Sequence, residues 1–186
     1  MEQIFRAEAT HDWIIVRPTS VWGPWFREPY RDFFDLVQAG RYLHPAGHTV
    51  LKSMGFVGNA VFQLDRLIGH GFPVLNRRVL YLADYEATNI EEWARHIAAI
   101  TGSQPPKRVP VPLLRLAAVV GDASRALGVR NPPLTTFRLR NILTSQVFDT
   151  GPLQDVVGPL PFTRDEGDEI TVDWLSDTTR GVGKAP

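Results

Sequence analysis

The chain has 186 residues, 44% of them hydrophobic and 22% charged, with twenty basic residues balancing twenty acidic ones. That is the composition of an ordinary globular domain with a proper core, and its zero net charge removes partners bound through bulk charge, nucleic acid and anionic membrane surfaces among them. The lack of cysteine excludes disulfides, thiolate metal sites and cysteine nucleophiles; it fits a cytoplasmic protein, as does the absence of any run near the roughly 18 apolar residues of a membrane span.

In chain order, residues 1–9 read as an amphipathic helix that carries Glu2 and Glu8, neither a secretory signal nor a transit peptide. No capping residue stands before it. Trp13 to Arg17 is a strand, and its run of Ile14, Ile15 and Val16 suits a buried strand of a parallel sheet. Pro29 opens a helix that packs Phe33, Phe34 and Val37 inward and stops at Gly40. An extended stretch, HTVLKSMGFV, leads to Asn59, the expected cap of a helix with Ala60, Val61, Leu64, Leu67 and Ile68 on its stripe. Val79 to Ala83 is a short strand. Thr88 and Glu91 are expected to form a capping box for a helix with Ile90, Trp93, Ala94, Ile97 and Ile100 inward, ended by Gly102.

After the rigid GSQPPKRVPVP passage, Pro112 suits the first turn of a helix packing through Leu113, Leu116, Ala117 and Val120. Thr163 with Glu166 makes a second capping box for a last helix that buries Ile170 and Trp174, and residues 176–186 read as a flexible polar tail. Strands alternating with helices give an α/β class.

The strand, glycine turn and helix around Gly55 and Gly58 imitate a dinucleotide-binding fingerprint. Lys52 occupies the position of its first glycine, where the chain must turn tightly off the strand, so these glycines are read as a turn into a helix. No tyrosine has a lysine four residues later, so the chain carries no Tyr-x-x-x-Lys pair. His44 and His48 have metal-ligand spacing, but no carboxylate or third histidine lies near them in sequence; a solvated or substrate-facing loop is the better reading. Gly-x-Ser-x-Gly is absent as well.

At Arg17, Pro18, Trp22, Gly23 and Pro24 the chain resembles the extended short-chain dehydrogenases/reductases, the NAD(P)-dependent epimerase/dehydratase family, in their C-terminal half. Glu2 resembles the glutamate that follows that family's catalytic lysine, which puts the tyrosine and lysine upstream of Met1. LKSMGFVGNA, RVLYLADYEATNIEEWARHIAAITG and RDEGDEITVDWL are similar to later family segments.

The resemblance implies the C-terminal part of an NAD(P)-binding Rossmann-type fold, the last strands of a parallel sheet, plus a small mixed α/β substrate-binding subdomain. Residues 1–25 would hold the end of the catalytic helix, the strand and the active-site loop; residues 26–175 would be mainly the substrate-binding subdomain, with late Rossmann elements interleaved. It implies NAD or NADP as cofactor, contacted by Pro18 and Thr19. It further implies a small-molecule substrate such as a nucleotide sugar, contacted by Ser20, Trp22, Phe26, Arg27, Tyr30, His44 and Lys52, and a homodimer when complete. Ser20 stands where many nucleotide-sugar members have asparagine, and Lys52 where they have an arginine on the diphosphate; a lysine offers a point charge in place of a bidentate fork.

On this reading the chain is the substrate-binding portion of an oxidoreductase or epimerase working by nicotinamide hydride transfer, and is inactive by itself. Two alternatives stand beside it. One is a non-catalytic binding or regulatory module, or a truncated inactive relative. The other is a steroid- or flavonoid-type reductase of the same superfamily, which Phe33, Phe34 and Leu43 would suit equally well.

Overall fold

A computed structural model describes residues 2–27, 29–71, 75–130 and 132–182. In chain order they form α1 (Glu2–Glu8), β1 (Ile14–Pro18), β2 (Ser20–Trp22), α2 (Tyr30–Gln38), β3 (Leu43–Pro45), β4 (Leu51–Lys52) and β5 (Met54–Phe56). Helix α3 (Val57–Arg66) follows and runs into a π-helical turn, Leu67–Gly71. The remainder is β6 (Arg78–Leu82), β7 (Thr88–Asn89), α4 (Ile90–Thr101), β8 (Lys107–Val109), α5 (Val111–Ala126), α6 (Thr136–Leu143), α7 (Gly151–Val157) and α8 (Arg164–Val182). The class is α/β, as expected, and the chain divides into two compact units.

The first unit comprises residues 1–30, 53–87 and 147–186. Two parallel pairs frame it: β1 on β6, with Ile14 opposite Arg78 and Pro18 opposite Leu82, and β2 on β5, with Trp22 opposite Phe56. Leu67, Leu75, Leu80, Leu153 and Val157 form a core against which Ile14, Val16 and Phe62 pack. Parallel pairing is as read, but Ile14, Ile15 and Val16 are only half-buried, because β6 is the one strand paired with β1 among the described residues.

Helix α3 turns a different face inward from the one its apolar stripe suggests. Val61, Leu64 and Ile68 are 62%, 40% and 76% exposed, while Ala60, Leu67 and the polar Asn59 and Gln63 are buried. Hydrogen bonding explains the rotation. Gln63 Nε2 donates to the Ala83 carbonyl at 2.8 Å, and Asn59 Nδ2 donates to Asp84 Oδ1 at 2.8 Å and to the Phe162 carbonyl at 3.0 Å. Asn59 is therefore no cap: Phe56 holds that position, and Asn59 works inside the first turn.

The Thr163–Glu166 box forms as read, with the Thr163 amide donating to Glu166 at 2.8 Å and the Glu166 amide donating back to Thr163 Oγ1 at 3.3 Å. The helix it starts buries Thr171, Val172 and Leu175, whereas Ile170 is exposed. It also continues past Ser176 to Val182, where composition suggests a flexible tail; residues 183–186 lie outside the described residues. Thr178 contributes by donating its hydroxyl to the Trp174 carbonyl at 2.7 Å. Helix α7, opened by a proline in its first turn, is too short for its periodicity to announce.

The second unit comprises residues 31–52 and 88–146. Here β3 pairs parallel with β8, and β4 pairs antiparallel with β7. Helix α4 buries Trp93, Ala94, Ile97 and Ala98, and Trp93 meets Phe33 at 4.8 Å and Phe34 at 5.4 Å between ring centroids. Its cap is Asn89 rather than Thr88: the Asn89 side chain accepts from the Glu91 and Glu92 amides, and Thr88 lies one residue further from the helix, buried in β7. Gly102 ends it in the left-handed region.

Helix α5 is also rotated from expectation. Leu114, Ala118 and Gly121 face α6, while Leu113, Leu116, Ala117 and Val120 face solvent. Close approach decides this, since a Cβ on Gly121 would lie 1.8 Å from the Leu134 carbonyl oxygen. Thr135 caps α6 by accepting from the Arg138 amide.

Candidate functional site

The loop that carries most of the candidate residues hangs from the carboxyl ends of two parallel strands, where ligands bind in open α/β sheets. Pro18 ends β1 and is exposed. Thr19 is tied to the neighbouring strand twice, its amide and its hydroxyl both donating to the Leu82 carbonyl at 3.1 Å. Ser20 accepts a 2.8 Å hydrogen bond from the Tyr30 hydroxyl, so two candidates for substrate contact meet directly.

Trp22 is 1% exposed and packs on Phe56 at 5.2 Å, in the floor beneath the loop. Phe26 is half-buried against Trp174 at 6.0 Å, Arg27 is exposed, and Trp25 is 83% exposed beside Trp174 at 5.8 Å. Trp25 has φ +71°, which a bulky residue rarely adopts.

Arg17 is held at the strand end. Its guanidinium donates to both Glu2 carboxylate oxygens, at 2.8 and 2.9 Å, and to the Tyr81 hydroxyl at 3.0 Å; these bonds raise its pKa. Composition could not have found this clamp, because Tyr81 lies 64 residues away in sequence.

The remaining two candidates lie in the second unit. His44 is 1% exposed, with Nε2 at 3.0 Å from the His48 carbonyl and 3.7 Å from Glu91. A carbonyl accepts only, so Nε2 carries the proton and the imidazole holds the turn after β3. Lys52 Nζ donates to the Asn141 carbonyl at 3.0 Å, and its partial burial lowers its pKa.

The imitation fingerprint resolves into packing. A Cβ on Gly58 would sit 2.8 Å from both the Phe162 and the Phe56 rings, and one on Gly55 would sit 3.3 Å from Ala83 Cα. Both glycines are spent on close contacts within the protein.

No protein-family model matches the chain, and no curated protein matches its sequence. Solved structures do match. UDP-glucose 4-epimerase of Thermotoga maritima, solved with UDP-glucose, has a TM-score of 0.64 and 15% identity, over 96% of this chain and 50% of that one. An epimerase of Methanothermobacter thermautotrophicus has a TM-score of 0.64 and 13% identity, over 99% and 49%. UDP-glucuronic acid 4-epimerase of Bacillus cereus, in complex with NAD, has a TM-score of 0.61 and 12% identity, over 95% and 48%.

The chain has the Rossmann-type fold of these epimerases. It spans about half the length of each. The resemblance carried by Arg17, Pro18, Trp22, Gly23 and Pro24 thus holds at the level of fold over nearly the whole chain. Among the described residues, no helix is long and apolar enough to cross a membrane.

Proposed function

We propose that this chain is the substrate-binding portion of an NAD(P)-dependent oxidoreductase or epimerase acting on a nucleotide sugar or related alcohol. The observation that carries the proposal is the placement of Pro18 and Thr19 at the carboxyl end of β1 beside β6, with Ser20 next to them at the start of β2, within a fold shared with epimerases solved with NAD, NADPH or UDP-glucose.

The residues present fit a nicotinamide nucleotide. Pro18 offers an exposed apolar ring with no amide hydrogen, and the two hydrogen bonds that Thr19 donates to the Leu82 carbonyl fix the backbone beside it. The bound cofactor would supply hydride transfer. Pro18 and Thr19 are the proposed cofactor contacts.

Ser20, Arg27 and Tyr30 are the proposed substrate contacts of the first unit. The Tyr30 hydroxyl orients Ser20, and Arg27 brings an exposed cation suited to a diphosphate. Trp22 and Phe26 support this loop from below. In the second unit Lys52 is a proposed phosphate contact, with two N–H groups left after its bond to Asn141, and His44 orders the turn before it.

Calorimetric titration of NAD(H), NADP(H) and UDP-glucose tests this, on the protein together with any coding sequence in frame upstream of Met1. Saturable binding of one nicotinamide nucleotide, weakened by Thr19→Pro, is expected. Absence of binding by both nucleotides overturns the proposal.

A further inference from the structure

A hollow of about 400 Å³ opens between α5 and α6, lined by Arg115, Ala118, Val119, Leu139, Arg140 and Leu143, with threonines at its ends. That volume lies within the roughly 300–1,000 Å³ of small-molecule sites. Helical spacing produces it: Thr136, Leu139, Arg140 and Leu143 fall on one face of α6, opposite Arg115, Ala118 and Val119 of α5. The walls are aliphatic, and the only charged groups in the lining are two guanidinium groups, one from each helix.

Three other arginines of the second unit have partners for their side chains. Arg95 and Arg108 pair with Glu91, and Arg138 donates to the Pro132 carbonyl at 3.0 Å. Arg115 and Arg140 have no side-chain partner among the described residues. The polar groups around them are already committed: Thr144 Oγ1 donates to the Arg140 carbonyl, and Asp122 accepts from the Thr136 amide and hydroxyl. The apolar surface continues outside, where Leu116, Val119 and Val120 are 63%, 60% and 61% exposed.

We propose that this hollow is a second binding site, for a single-chain anionic amphiphile, with the aliphatic tail on its walls and a carboxylate or phosphate held between Arg115 and Arg140. Two guanidinium groups in the lining of an otherwise aliphatic hollow match that ligand in charge and in apolar character. The hollow belongs wholly to the second unit, whereas Ser20 and its loop belong to the first.

Calorimetry with dodecyl phosphate below its micellar concentration, against dodecyltrimethylammonium of equal tail length, tests the proposal. One dodecyl phosphate is expected to bind per chain, at least about tenfold tighter than the cationic amphiphile. Methyl resonances of Leu139 and Leu143 are expected to shift on its addition.

The double variant Arg115→Gln, Arg140→Gln is expected to remove the preference between head groups. Val119→Trp, made at an exposed position so that folding is spared, is expected to fill the hollow and abolish binding. Equal affinity for the two amphiphiles, shifts elsewhere than α5 and α6, or binding to phosphatidylglycerol vesicles without binding of the free amphiphile would each overturn it.

Discussion

Replacing Asn59 by alanine tests why a polar residue occupies the buried side of α3. The asparagine makes three hydrogen bonds: two donated by Nδ2, to Asp84 Oδ1 and the Phe162 carbonyl, and one accepted at 3.1 Å from the Phe162 amide. At about 1 kcal/mol net per bond, their loss costs about 3 kcal/mol. Asp84, whose burial already raises its carboxyl pKa, is left with one bond fewer, from the Phe56 amide alone at 3.1 Å. That adds about 1 kcal/mol, kept small because Phe162 is 36% exposed and water can reach its backbone. The total of about 3–4 kcal/mol corresponds to about 6–16 °C in melting temperature for a chain of this length.

Urea unfolding followed by circular dichroism, with a thermal melt alongside, measures the change. Asn59→Asp sharpens the test, since it sets a second carboxylate against Asp84. Two adjacent carboxylates cannot both ionise cheaply, so their folded-state pKa rises above the unfolded value. Stability of this variant is therefore fully present below about pH 4 and lost as pH rises towards neutrality. A loss under 0.5 kcal/mol for the alanine variant, or a pH-independent aspartate variant, would refute the reasoning.

Gly121→Ala is expected to cost at least about 3 kcal/mol, because the added methyl meets the Leu134 carbonyl. Gly69→Ala, with nothing within 4 Å, is expected to be neutral or stabilising, and the same urea series compares the two. Glu91→Gln removes the negative charge that Arg95 and Arg108 share, and should cost about 1 kcal/mol at pH 7. Arg108 holds the Glu91 pKa below the ordinary glutamate value, so this contribution is present above that value and lost as pH falls through the lowered one; the variant's acid limb is then flatter. Tyr30→Phe frees the Ser20 hydroxyl at a stability cost of at most about 1 kcal/mol, and is expected to weaken UDP-glucose binding in calorimetry without changing nicotinamide nucleotide affinity.

The parts of the fold that could be read from sequence are those where local chemistry and tertiary demand agree. The apolar run Ile14–Val16 announces a parallel strand, Thr163 and Glu166 announce a helix start, and Gly102 announces a stop. The facing of α3 and α5 could not be read that way. Periodicity assumes that apolar residues turn inward, yet Asn59 and Gln63 are drawn in by partners 20 to 103 residues away, and Gly121 is drawn in by a backbone carbonyl.

The same split runs through the candidate site. Arg17, Pro18 and the loop to Pro24 are legible as a motif, whereas the Arg17 clamp on Glu2 and Tyr81, and the pairing of Ser20 with Tyr30, needed the fold. Trp22 and His44 carry chemistry suited to a ligand but lie buried, one in the floor of the loop and one in a turn.

Amide chemical-shift mapping tests the central claim most directly, with NAD+ and then UDP-glucose added to the protein together with any coding sequence in frame upstream of Met1. The account predicts saturable shifts at Thr19 with the first ligand and at Ser20, Arg27 and Tyr30 with the second. Shifts confined to other parts of the chain, or none at ligand concentrations that saturate epimerases of this fold, would contradict it.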